Sequence, residues 1–115
     1  MVHFTSVALA MASAIGLAAA NLSGDMTYYA PGLGSCGGTN SESDAIVALS
    51  YLQYNGANPC GKTIKITLNG KTTTAKVVDK CMGCAEDAID VSPSVFEDLA
   101  DLSVGRTVVD WEFTD

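Results

Sequence analysis

Four cysteines and a single histidine are the residues of this chain that most constrain its chemistry. Cys81-Met82-Gly83-Cys84 has the C-x-x-C spacing of a redox pair or of half a zinc site, whereas Cys36 and Cys60 stand far apart. A structural zinc site wants a second closely spaced pair, and a redox C-x-x-C wants a βαβ context that this sequence lacks. His3, the one histidine, cannot supply the imidazoles of a His-rich zinc centre, and a Ser-His-Asp triad would have to be built on it. No metal and no cofactor is implied. Two disulfides are the better reading, and they presuppose an oxidising compartment. Spacing alone leaves all three pairings open.

The N-terminal segment points to that compartment. Ser6 to Ala20 is an uncharged run of small and apolar residues ending in Ala18-Ala19-Ala20. No Lys or Arg precedes it, but it reads as a secretory signal peptide over residues 1–20, being Ala-rich and shorter than the ~20 residues of a membrane span. Its removal leaves Asn21 as the first residue and takes His3 away. The six Lys+Arg and 13 Asp+Glu all lie beyond it, so the domain over residues 21–115 keeps the whole net charge of -7. That balance offers no basic footprint for nucleic acid or an anionic membrane. A domain this small buries only about 60–65% of its unfolded surface, which is why bridges matter. Asn21-Leu22-Ser23 is also an N-glycosylation sequon.

Local patterns beyond Asn21 are mostly those of strands. Met26 to Tyr29 is β-prone and stops at Pro31-Gly32, and Gly32 to Ser43 is a Gly/Ser-rich loop. Asp44 to Ser50 is a short apolar run, read as a buried strand. Gln53 to Pro59 is polar, a second loop. Ile64, Ile66 and Leu68 alternate with Thr63, Lys65 and Thr67, then come Asn69-Gly70 and a β-rich run from Thr72 to Val78. That pattern predicts a hairpin with a type I′ turn. Ser92-Pro93 opens a helix whose apolar positions are Val95, Phe96, Leu99, Ala100 and Leu102, ended by Gly105. A last strand, Arg106 to Phe113, places Val109, Trp111 and Phe113 on one face, with Trp111 in the core. The fold class expected is a small, mainly β, closed barrel with one short helix.

Five segments carry a family resemblance. Gly24-Asp25-Met26-Thr27-Tyr28-Tyr29, Gly34-Ser35-Cys36-Gly37, Asn58-Pro59-Cys60-Gly61-Lys62, Val77-Val78-Asp79-Lys80-Cys81 and Ala88-Ile89-Asp90-Val91-Ser92-Pro93 occur in the order and spacing of one pattern. The chain resembles, from Gly24 to Phe113, the six-stranded double-psi β-barrel of rare-lipoprotein-A-like, barwin-like and expansin-like proteins. Its nearest form is the single-domain secreted fungal type called loosenin-like. The resemblance implies a disulfide-stabilised barrel with Cys36 paired to Cys60 and Cys81 to Cys84. It also implies an open polysaccharide groove with Asp79 and Asp90 facing each other, Asp90 being the residue on which loosening depends, and Thr27 lining it. The expansin pattern has a Tyr where this chain has Cys81, so Tyr28 or Tyr29 is the candidate sugar-stacking ring.

Fold does not settle function in this group, which includes wall-loosening proteins, glycosidases, lytic transglycosylases and protease inhibitors. Inverting hydrolysis needs an acid and a second carboxylate ~6.5–9.5 Å away as base. Asp90, beside a second carboxylate, is the candidate acid. Related endoglucanases carry their base shortly after the first-strand tyrosine, where this chain has Ala30, so ordinary hydrolysis is disfavoured. A lytic transglycosylase route, needing one Asp, stays open. The expected function is therefore binding and loosening of cell-wall polysaccharide (cellulose, chitin or peptidoglycan) without hydrolysis, by a secreted monomer. The alternative from another class is inhibition of a papain-type cysteine protease, with the Gly32 to Ser43 loop entering the protease cleft.

Overall fold

The computed structural model describes residues 21–115, so the expected leader over residues 1–20, His3 included, lies outside the described residues. Six strands, β1 (Leu22–Tyr28), β2 (Ile46–Ser50), β3 (Thr63–Leu68), β4 (Lys71–Cys81), β5 (Ile89–Val91) and β6 (Thr107–Phe113), close a barrel in the order β1-β5-β2-β4-β3-β6. The β1–β5 and β2–β4 pairs are parallel and the other four antiparallel. Among the described residues one α-helix, α1 (Pro93–Leu99), packs against the barrel, and 3₁₀ turns span Tyr51–Tyr54 and Leu102–Val104.

The hairpin forms as its pattern predicts. Asn69 and Gly70 both have positive φ, 51° and 82°, as a type I′ turn requires of its two central residues. Ile64 and Ile66 point inward and are fully buried, while Lys65 between them is exposed. All five residues of β2 are buried, as its unbroken apolar run implied. Met26, Val47, Leu49, Val77, Phe96 and Trp111 meet in the central core. Trp111, 1% exposed, donates its indole N–H to the Asp87 carbonyl at 2.8 Å, so its one polar atom is satisfied.

Several boundaries differ from the sequence reading. β1 begins at Leu22, four residues before Met26. β4 runs on past Val78 to Cys81 and so carries Asp79 within the sheet. The helix stops at Leu99, not at Gly105; Leu102 belongs to a separate 3₁₀ turn, which Gly105 closes with φ 73°. Helical periodicity reports which residues reach the core, and Leu102 reaches it from that second turn. β5 is three residues long, too short for a period of two to register, and appears in no local pattern.

Both disulfides join the cysteines that the resemblance implied, Cys36 to Cys60 and Cys81 to Cys84, with Cα–Cα distances of 5.7 and 5.4 Å. The first ties the Gly32 to Ser43 loop to the start of β3. That loop folds back on itself through a Leu33–Thr39 bridge, and its Cys36 N–H donates to the Val78 carbonyl at 3.2 Å. Gly34 sits so close to that carbonyl that a Cβ would collide with it.

Candidate functional site

A bulge decides which way Asp79 points. Val47 of β2 pairs with Val77 of β4, but the next residue, Ala48, pairs with Asp79, leaving Val78 as the extra residue. Side chains alternate along a strand, so without that extra residue Val78 would stand opposite Ala48 and Asp79 would turn into the core. With it, Val77 is fully buried and Asp79 faces outward.

Ala48 also pairs, on its other side, with Asp90 of β5, and Asp90 pairs with Thr27 of β1. The result is one row across four strands, Thr27–Asp90–Ala48–Asp79, on the outer surface of the sheet. The two aspartates are two strands apart, about 10 Å between Cα atoms from the inter-strand spacing. Ala48, the residue between them in the row, is small and buried. Thr27 donates its hydroxyl hydrogen to Asp90 Oδ1 at 3.0 Å. Asp79 Oδ1 accepts two backbone amides, Ser35 N–H at 2.9 Å and Lys80 N–H at 2.8 Å. Asp79 is thus the anchor of the Cys36 loop.

The two carboxylates have different surroundings. Burial pushes the Asp90 carboxyl above its ordinary value; the Thr27 hydrogen bond and the Arg106 guanidinium pull it back, and the Asp79 charge adds to the rise. Tyr29 feels burial and then both aspartates, which push its phenol up to about 12. It stays protonated, a hydrogen-bond donor beside two acceptors. Tyr54, also raised, first by burial, donates to the Asp79 carbonyl at 2.9 Å, and Lys80 Nζ lies 4.7 Å from its ring centre.

The two candidate stacking tyrosines part company. Thr27 and Tyr29 share the outer face of β1 by alternation, and Tyr29 continues the strand through an N–H bond to the Val91 carbonyl at 3.0 Å. Tyr28 points the other way, its ring edge-on to Phe96 at 4.9 Å and its hydroxyl on the Leu102 carbonyl at 2.9 Å. The period of two from Thr27 carries that distinction in the sequence. Ala30 is exposed and offers only a methyl group. Beyond the expected residues, Ser35, Tyr54 and the Asp25–Arg106 ion pair, 3.0 Å long, border the site. Asp25 is two residues before Thr27, so alternation again marked it; Tyr54 and Arg106 arrive from distant turns and had no local signal. Among the described residues no group of His, Cys, Asp and Glu converges to hold a metal ion.

A closed six-stranded barrel with two parallel pairs and an outward aspartate on each of two central strands defines a double-psi β-barrel of the expansin-like and barwin-like kind. No family model matches the chain. It is 34% identical to the papain inhibitor of Streptomyces mobaraensis over 80% of this chain and 71% of that protein, and it belongs to the same family. The solved structure of the Streptomyces papain inhibitor superposes with a TM-score of 0.76 at 32% identity, covering 83% of this chain and 94% of that one. A mutant expansin of Clavibacter michiganensis, solved in complex with cellohexaose, superposes with a TM-score of 0.75 at 25% identity, over 83% of this chain and 50% of that one. Allergen Asp f 7 of Aspergillus fumigatus is 48% identical over 72% of this chain. The chain spans about a third of that protein's length.

Proposed function

We propose that this protein binds cell-wall polysaccharide across the Thr27–Asp90–Ala48–Asp79 row and loosens its packing without hydrolysis, outside the cell. The observation that carries this reading is the in-register row itself, with two part-exposed acceptors on either side of a small buried residue and a protonated phenol, Tyr29, beside them. Sugars present hydroxyls to such acceptors and an apolar ring face to a tyrosine. The cellohexaose bound by the similar expansin supports the ligand class. Ala30 supports the absence of hydrolysis, since no base stands at the position the related endoglucanases use. Asp90 would hydrogen-bond sugar hydroxyls and hold a bound chain away from its neighbours. Sedimentation of the protein with cellulose, chitin and peptidoglycan, with soluble sugars assayed in the same tubes, tests the reading. Binding without sugar release, lost in Asp90→Asn, is the expected result; sugar release that Asp90→Asn abolishes would replace it with a lytic activity.

A second reading is inhibition of a papain-type protease. It is favoured by the likeness to the Streptomyces papain inhibitor across nearly all of that chain. The Gly32 to Ser43 loop suits it, being held by Cys36–Cys60 and by Asp79 while Leu33 stands 76% exposed. Titration of papain activity with the protein decides it: no loss at micromolar excess rejects this reading.

A further inference from the structure

The outer face of β1 continues beyond Thr27 to Asp25, and there an open cleft of about 430 Å³ joins Asp25 and Arg106 to Thr27 and Asp90. Its wall is the Cys81–Cys84 loop, where Gly83, Ala85 and Ala88 leave the space unfilled. Arg106 Nη1 donates to Asp25 Oδ2 at 3.0 Å, which orients the guanidinium across the cleft, and its side chain is 66% exposed. A guanidinium has five N–H donors in a rigid fork, so one bond to Asp25 leaves donors free for a ligand. At the opposite end of the same face stands Tyr29.

We propose that the Arg106–Asp25 pair is a second sugar subsite, and that a bound glycan runs along β1 from Tyr29, past the Thr27–Asp90 centre, to Arg106. The inference rests on the polysaccharide-binding reading above and adds its direction, its length and its far contact. Tyr29 lies four residue steps along the strand from Asp25, a span of roughly 13 Å, which is about two to three pyranose rings. The donors of Arg106 complement the acceptor at the centre: sugar hydroxyls donate to Asp90 and accept from Arg106. A disaccharide seated on Tyr29 reaches the centre only, and a trisaccharide reaches Arg106 as well.

Calorimetric titration of the purified protein with cello-, chito- and peptidoglycan-derived oligosaccharides, from disaccharide to hexasaccharide, tests this. Affinity is expected to climb with length up to the trisaccharide and then level off. Arg106→Gln and Asp25→Ala are expected to lose about tenfold in affinity for the trisaccharide and longer chains, the worth of one or two hydrogen bonds, and nothing for the disaccharide. Arg106→Lys, which keeps the charge without the fork, should restore little of it. Asp90→Asn should weaken every length. Unchanged affinity of the Arg106 and Asp25 variants at every length, with Asp90→Asn still weakened, overturns the subsite and leaves the polysaccharide reading standing. So does equal loss at all lengths, or full rescue by Arg106→Lys, since either means that Arg106 acts only through the charge of Asp90. Failure of the wild type to bind any series removes both.

Discussion

Asp79 and Asp90 flank the same residue, Ala48, each as its paired neighbour on one side. Their spacing is therefore set by sheet geometry across one small buried side chain. Ala48→Leu is expected to push aside the atoms that cover Ala48, disturb the row and weaken polysaccharide binding. Ala48 is 3% exposed, so overpacking should also cost about 1–3 kcal/mol of stability. A binding assay beside a denaturation curve separates the two effects; retained binding by a folded variant argues that the ligand does not pass between the aspartates.

Asp90 should cost the protein stability when it ionises. Burial raises its carboxyl pKa in the folded state, so between the ordinary carboxylate value and the raised one the folded protein holds more proton than the unfolded chain. Stability from this group is fully present below the ordinary value, about 3.9, and is lost as pH rises through the folded one. Asp90→Asn, which stays neutral, should be the more stable protein at neutral pH, with the advantage fading in acid. Thermal melts of both proteins from acid to neutral pH measure this, and parallel curves would contradict it.

Asp79→Ala should loosen the Cys36 loop. It removes the acceptor of the Ser35 and Lys80 amides, which is worth about 1–2 kcal/mol for a part-exposed charged acceptor. Amide hydrogen exchange at Ser35 is expected to quicken while exchange at Ile64 and Ile66 in the hairpin stays slow. If the second reading of function holds, the same variant should also inhibit papain less well.

The two disulfides should contribute unequally. Cys36–Cys60 closes a separation of 24 residues and Cys81–Cys84 one of three. Loop-closure entropy then gives about 3–4 kcal/mol for the first and about 2 for the second. Paired Cys→Ser variants at each bridge, compared by urea denaturation, should rank in that order.

Local chemistry made several elements readable. Asn69-Gly70 between alternating runs could form little else than a hairpin turn, because both positions tolerate positive φ. Ser92-Pro93 marked the helix start, and the apolar run of β2 its burial. Other features had no local mark. β5 holds Asp90 in place with three residues whose strand character comes wholly from their neighbours. The bulge at Val78 is a mismatch between two strands, so neither strand alone displays it.

By itself the sequence determined the chemistry at hand: cysteines for two bridges, no imidazole beyond His3, an acidic domain, and aspartates in motifs that resemble one barrel family. It also determined that Thr27, Tyr29 and Asp25 share a face of their strand, because alternation is a property of the chain. What the tertiary structure decided is everything that depends on register between strands. The bulge turns Asp79 outward, Ala48 brings Asp79 and Asp90 into one row, and β1 lies beside β5 so that Thr27 can hold Asp90. Arg106 enters the cleft from a turn that follows the helix, far along the chain from Asp25. Pairing of this kind is a relation between distant segments, fixed only when the core they share is packed.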